Sequence, residues 1–487
     1  MHKKECGVTQ VRNLIGNEWK TSSTKEVIKV HNPYNGIVID TIPNSSFDDI
    51  NEAVKLSDKA KKRWSGITIN ERCEILLKFK DLVKKEQFEL AKLLTNETGK
   101  NITESEEEIE CLVDLTTAFI EKARHMYGNV IPRGLDSKNE STIELTTREP
   151  IGIIAAILPY NFPVITFAHK VPAALIMGNT VIVKPSCKAP LTITKIVYLL
   201  RTAGVPEGVL QVVHGNGEQA GNALAMHPDI QLITFSGSTK TGIQVMESAS
   251  KNLTRVLLEL GGNDAMIVNN DADIELAIEE AINGRLYNMG QTSSSTKRFL
   301  VHKEVKSIFV NGLIRKISKM KYGSPMDTSN NLSCLIDEEA ARKVEEQVNK
   351  LVDLGAQIVM GGKRDKNYYE PTILINISKD TIAPNIEILG PIIPIIEFTD
   401  INEAIKIVNE SPYGLSSSIF TKNIKTAFKA AECLETGTVI INGSTEYRSN
   451  EMAYGGWKYS GFGTEGVSST LEQLSLVKTT VLKNVLE

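Results

Sequence analysis

The feature that most constrains this chain is the alternation of apolar runs and helical patterns between residues 150 and 270. "IGIIAAIL" is a near-continuous apolar run, as expected of a strand buried on both faces. "FAHKVPAALIMG" follows with helical spacing, and "NTVIVKP" reads as the next strand. "PLTITKIVYLLRTAG" is a helix closed by glycine, and "VLQVVHG", "GNALAMHP" and "IQLITFSGS" continue the series. Strand–helix–strand repetition of this kind predicts a doubly wound α/β domain with a parallel sheet and a nucleotide site at the strand ends.

The flanking segments read differently. Residues 10–45 carry turn signals such as "HNPYNG", and predict short strands. Residues 47–64 and 69–125 predict long helices, with Ile75, Leu76, Phe79, Leu82 and Val83 on one face. "STIELTTREP" alternates as a strand. A second α/β block runs from about 260 to 460, with "AMIV", "KRFLVH" and a hairpin-like "AQIVMGGKRDKNYYEPTIL". The tail "LSLVKTTVLKNVL" alternates like a strand without a partner in its own domain, and such an edge pairs with a distant hairpin or another subunit.

With 487 residues the chain is long enough for two or three units and a core that needs no staples. The 55 basic and 59 acidic residues leave a net charge of −4, which argues against a general nucleic-acid binder. The six cysteines form no CxxC pattern and the seven histidines no HxxxH or HExxH pair, so reduced thiols and no metal site are expected. The longest apolar stretch, Ile151 to Leu158, is far short of the roughly 20 residues that cross a bilayer, and the N-terminus has no apolar signal core. A cytoplasmic protein without nucleic-acid or membrane partners is the expectation.

Six short motifs carry chemistry. "PYNFP" (Pro159, Tyr160, Asn161) places an amide after a buried strand, where it can meet a developing oxyanion or simply make a turn. "VIVKPS" ends a strand with Lys184 and Ser186, either as ligand contacts or as a solvated strand end. "FSGSTKTG", with Phe235, Ser236, Gly237 and Ser238, opens a helix whose N–H groups suit a phosphate, or whose serine is only a cap. "LELGGND" presents Glu259 as a general base or a paired structural acid. "NMGQTSSSTKR" is a polar loop holding Thr292, Ser293 and Ser294, and "EILGP" offers Glu387 to a ribose diol.

Each motif is weak alone, but in this order and spacing they resemble the aldehyde dehydrogenase superfamily from near residue 15 to near residue 482. The resemblance implies an NAD(P)-binding domain over 1–127 and 150–258, a catalytic domain over 259–465, and an oligomerisation arm over 128–149 and 466–487. A homodimer or homotetramer follows from that arm. It also implies oxidation of an aldehyde to the acid through a covalent thiohemiacetal and thioester, with hydride passed to NAD or NADP. Asn161 then matches the oxyanion-hole amide and Glu259 the base that activates the deacylating water. The presence of Glu259 favours the hydrolytic branch over the CoA-acylating one. Pro159, Tyr160, Lys184, Ser186, Cys187, Lys188, Gly217, Phe235, Ser236, Gly237, Ser238, Glu387 and Leu389 match cofactor positions.

Two departures matter. Leu389 stands where the family usually has Phe. Ser293 stands at the cysteine of the family pattern NxGQxC, read here as Asn288 to Ser293. A thiolate is far more accessible near neutral pH than an alkoxide, so this form is expected to be largely inactive. A natural, attenuated, non-catalytic NADP-binding member and a deliberate Cys→Ser substitution both explain it; the intact Glu259 and Asn161 favour the second.

Cofactor and substrate are read from single positions. Cys187 replaces the glutamate that in NAD-preferring members repels a 2′-phosphate, and Lys188 adds a cation, so NADP is slightly favoured over NAD. The aldehyde tunnel, by the resemblance, is lined by Thr166, His169, Tyr287, Thr292, Ser294, Tyr447, Arg448 and Tyr454. With His169 and Arg448 as candidate cations, this lining predicts a small polar or anionic aldehyde of the lactaldehyde, semialdehyde, sulfo- or phospho-aldehyde type. Arg448 alternatively pairs with an acid such as Glu451.

Overall fold

The computed structural model describes residues 2–5, 8–133, 141–378 and 387–483. Cys6 and parts of the expected arm, 134–140 and 484–487, lie outside them. Cys73, Cys111, Cys187, Cys334 and Cys433 are free thiols. Among the described residues no helix is long and apolar enough to cross a membrane.

The alternation between 150 and 270 builds one sheet. Its parallel strands run in the spatial order Arg255–Glu259, Leu232–Ser236, Ile153–Ile157, Thr180–Lys184, Leu210–Val212. The winding reverses between Ile153–Ile157 and Leu232–Ser236, so a crevice opens beyond the C-terminal ends of those two strands. Antiparallel strands close both edges, Asn13–Ile15 with Glu18–Lys20 on one side and Gly461–Phe462 on the other. The apolar run is explained by its two faces. Ile153, Ala155 and Ile157 enter one core with Ile182 and Ile233, while Ile154 and Ala156 enter the other with Val181 and Val183.

The long helical stretch divides where its capping chemistry says it should. Phe47–Gly66 and Ile69–Lys85 each begin with a capping box, at Ser46 and Thr68. Gln87–Thr98 ends on Gly99 at φ 76°, a left-handed cap where an added Cβ would meet Cys334 Sγ at 2.7 Å. Ile102–Ala123 then packs on Pro163–Ile176, which starts with proline at its first turn.

The second block forms a seven-stranded sheet around Ala265–Val268, Arg298–His302, Ile392–Phe398 and Ser416–Phe420, all parallel. The chain assigned to this block returns to the first sheet at Gly461–Phe462, which pairs with Leu258 and Glu259. The division at 465 is therefore blurred by a strand that ties both units together. The tail strand Ser475–Leu482 finds its partner within the chain, pairing antiparallel along all of Ile143–Pro150.

Candidate active site

Both sheets point their strand ends at one cleft of about 1460 Å³. That exceeds the few hundred to about 1,000 Å³ of an ordinary small-molecule pocket, and leaves room for a dinucleotide with a second ligand.

The wall contributed by the first sheet is made of strand ends. Pro159, Tyr160 and Asn161 follow Ile153–Ile157, while Ser236, Gly237 and Ser238 follow Leu232–Ser236. These are the two strands that flank the crevice. A Cβ on Gly237 would sit 2.5 Å from Phe235 Cζ, so the ring would have to move to admit a side chain there. Ser238 caps helix Thr239–Ser250, its Oγ accepting from Thr241 N at 3.3 Å. The helix start is thus capped and also opens on the cleft. Lys184 ends the next strand and donates to Pro185 O at 3.3 Å; burial pushes its ammonium down to about 8. Ser186, Cys187 and Gly217 line the same end of the cleft.

Lys188 does not join them. Its ammonium pairs with Asp337 and lies 5.5 Å from the Tyr160 ring, outside the cleft lining. The expected cation beside Cys187 is therefore spent on the acid that caps helix Glu338–Asp353.

Glu259 ends the strand next to the crevice, and its Oε2 accepts from Ser236 Oγ at 2.8 Å. Burial raises its carboxyl, and the charge of Glu465 raises it further; Lys170 acts in the opposite sense. Glu465 itself accepts from Lys170 Nζ at 2.9 Å. Burial works against its ionisation, yet Lys170 and His169 hold it below the ordinary carboxylate range. The two acids are thus driven apart, one toward protonation and one away from it, as acid–base pairs in active sites are.

The opposite wall is made of loops. Asn288, Met289 and Gly290 are consecutive left-handed residues, φ 47°, 55° and 73°, that turn the chain toward Ser293. A Cβ on Gly290 would lie 2.5 Å from Gly390 O, so no side chain fits at this step of the turn. Glu104 holds it by accepting from Asn288 N at 3.0 Å. Asn288 Nδ2 donates to Asn161 O at 3.0 Å, and Asn161 Nδ2 donates to Gln291 O at 2.7 Å. These two bonds tie Asn161 to the turn that carries Ser293. Glu387 accepts from Gly262 N at 3.1 Å, and Leu389 lines the cleft beside it.

Beyond Ser293 the lining includes Thr166, His169, Tyr287, Thr292, Ser294, Arg448 and Tyr454. Tyr447 is 59% exposed and outside the lining. Burial lowers the His169 imidazole below its usual value, although Glu465 pulls it up, which works against the expected His169 cation. Arg448 lies 3.3 Å from the Tyr454 ring centroid and donates to Tyr447 O at 3.0 Å. Glu451 instead accepts from Ser468 Oγ at 2.9 Å. Tyr287 stacks on Phe162 at 5.7 Å and donates to Glu107 at 3.0 Å, closing one side of the tunnel.

Three acid–base residues escaped the sequence reading. Glu446 accepts from Ser294 Oγ at 3.2 Å and puts a carboxyl in the cleft lining. Lys170 and Glu465 stand 295 positions apart, a separation at which no local spacing signals a pair. The only available clue was a charged residue inside an apolar helix, at "AHKVPAALI".

This architecture has known counterparts. Residues 19–480 match the model of the aldehyde dehydrogenase family. The chain belongs to that family. It is 36% identical over 473 residues to a lactaldehyde dehydrogenase of Methanococcus aeolicus, covering 96% of this chain and 99% of that one. It is 35% identical over 482 residues to the NADP(+) succinate-semialdehyde dehydrogenase of Escherichia coli, covering 98% and 99%. A betaine aldehyde dehydrogenase from Staphylococcus aureus, solved in complex with NAD+, superposes with a TM-score of 0.94 at 30% identity, covering 98% and 95%.

Proposed function

We propose that this chain is an NAD(P)-dependent dehydrogenase scaffold for a small polar aldehyde, with position 293 as its nucleophile. The observation that carries the reading is the convergence of Asn161, Glu259 and Ser293 on one cleft at the sheet's switch point. The cleft wall fits a dinucleotide: it offers a helix start at Ser238, a side-chain-free step at Gly237, the Lys184 ammonium and the Glu387 carboxylate. When bound, that cofactor supplies the hydride acceptor.

The remaining chemistry belongs to the chain. A nucleophile at 293 adds to the aldehyde carbonyl, and the Asn161 amide donates to the oxygen as charge gathers there. After hydride loss an acyl group is left on position 293. Glu259, raised by burial, accepts a proton from water, which attacks that acyl carbon and releases the acid. Ser236 fixes the carboxylate for this step, and the Lys170–Glu465 pair sets how readily it takes the proton. With Ser293 in place of a thiol the first step is slow, because an alkoxide is scarce near neutral pH.

Arg448 in the cleft lining favours a short aldehyde bearing an anionic group or a hydroxyl, and Glu446 offers an acceptor to a hydroxyl only. With Lys188 held by Asp337, we infer that NADP and NAD are both accepted. The edge strand Ser475–Leu482, with Val477, Val481 and Leu482 exposed, fits a contact between subunits.

The test is NADPH and NADH formation by S293C beside the unaltered chain, over lactaldehyde, glycolaldehyde, succinate semialdehyde and propanal. Turnover by S293C alone is expected, with the polar aldehydes preferred. No turnover of any aldehyde by S293C, with cofactor still bound, overturns the reading.

A further inference from the structure

Beneath the nucleophile turn lies a lysine that the reaction as derived does not use. Lys297 begins where the chain enters strand Arg298–His302, and its backbone N–H bonds to Asp264 O at 2.8 Å. Its side chain folds back under the turn, only 1% exposed. There Nζ donates to three carbonyls of the turn: Thr292 O at 3.0 Å, Ser293 O at 2.5 Å and Ser295 O at 3.3 Å. An ammonium has three N–H bonds, and each finds an oxygen. The Ser293 carbonyl is enclosed from the other side by Gly262, where a Cβ would come within 2.6 Å.

Holding the turn by an ammonium is a costly solution if the turn only needs shape, since a buried charge loses its hydration. The nearest acid, Glu387, is 3.9 Å away, beyond a direct hydrogen bond, so the carbonyls are its principal partners. Three peptide dipoles point their negative ends at Nζ, and their positive ends face away from it. We propose that Lys297 is a positioning residue for the nucleophile: its ammonium orders the 292–295 turn and biases the group at 293 toward its anionic form. The inference rests on position 293 being the nucleophile.

Burial lowers the Lys297 ammonium from its ordinary range, Glu387 and Asp264 hold it up, and the other charges around the turn are compatible with that bias. Arg285, from helix Ile274–Leu286, donates to Ser295 Oγ at 2.7 Å, and Arg448 lines the cleft. Glu387, Asp264, Glu446 and Glu259 oppose them. Burial pushes Asp264 up to about 7 and raises Glu387, Glu446 and Glu259 above the ordinary carboxylate range, which weakens their opposition. A unit charge about 4 Å away is worth about one unit of pKa when water screens it fully and about three in a partly buried site, so about one unit is the lower bound.

The experiment places a thiol at the site with S293C and follows its alkylation by iodoacetamide from roughly pH 5 to pH 10, where a thiolate and not a thiol reacts. Mass spectrometry of the peptide carrying position 293 separates it from the other cysteines. In S293C/K297M the midpoint should rise by about one pH unit or more, and S293C/K297R should restore it. S293C/E387Q removes an opposing acid and should move the midpoint down. Opposite shifts from neighbouring substitutions are not the signature of a loosened turn. An unchanged midpoint in a folded, cofactor-binding S293C/K297M overturns the proposal. Should that variant fail to fold, S293C/K297Q, which keeps N–H donors under the turn and drops the charge, decides: an upward shift supports the proposal and no shift overturns it. The readout needs no turnover. A Lys297-dependent midpoint without aldehyde oxidation would sink the dehydrogenase reading alone, whereas oxidation without the shift would sink this one alone.

Discussion

The two walls of the cleft are built on different principles. The cofactor-facing wall is a row of parallel strand ends, each positioned by a sheet buried on both faces. The wall that carries position 293 is a set of loops, 287–296 and 444–454, held by individual hydrogen bonds to Glu104, to each other and to the adjacent Lys297. In the first wall position follows from topology. In the second it depends on individual contacts, so substitutions there should cut catalysis steeply while the fold survives.

The largest effect should come from the group that sits on the first wall but serves the second. In an S293C background, E259Q should keep the first turnover's burst of reduced cofactor and lose steady-state rate by about 10²-fold or more. Stopped-flow absorbance separates the two, and loss of burst and steady state together would count against Glu259 as the deacylation base.

Next is the amide that joins the walls. N161A in S293C should lower kcat by about 10²–10³-fold with little change in cofactor affinity. A fall confined to KM would place Asn161 in binding only.

The Lys170–Glu465 pair sharpens the comparison through pH. Glu259 must be ionised to act as a base, so activity falls as pH drops through its pKa. Glu465 raises Glu259 and Lys170 lowers it. E465Q should therefore move the acid limb of the kcat profile to lower pH, and K170M should move it to higher pH. Limbs that stay in place would disconnect the pair from the base.

The smallest effect is expected at Lys188. Because its ammonium is engaged by Asp337, K188A should change NADP affinity by less than about fivefold, as a half-exposed ion pair predicts. A larger loss, by calorimetry, would mean that Lys188 leaves Asp337 when cofactor binds.

Legibility followed the same divide. The strands of the first sheet were readable because burial on both faces writes an unbroken apolar run, and Lys184, Ser238 and Glu259 sit where those runs stop. The tail strand was readable by its alternation, although its partner, Ile143–Pro150, was not. The loop wall gave less. Tyr447 was expected in the tunnel but lies outside its lining, His169 was expected as a cation but burial works against its charge, and Glu446 was not anticipated. One residue's change of direction in a loop alters what it faces, and no periodicity records it.

By itself the sequence determined the winding of the nucleotide-type sheet, the order of the motifs along it and the presence of serine at 293. Local periodicity and strand-end chemistry carry that much, because they act over a few residues. Only the tertiary structure decided which charges meet: Lys170 with Glu465, Lys188 with Asp337, Lys297 with the carbonyls of its own turn. The first of them acts on protonation in the cleft through Glu259. The pairings depend on distance and burial in space, which segments hundreds of residues apart acquire only once both sheets have packed.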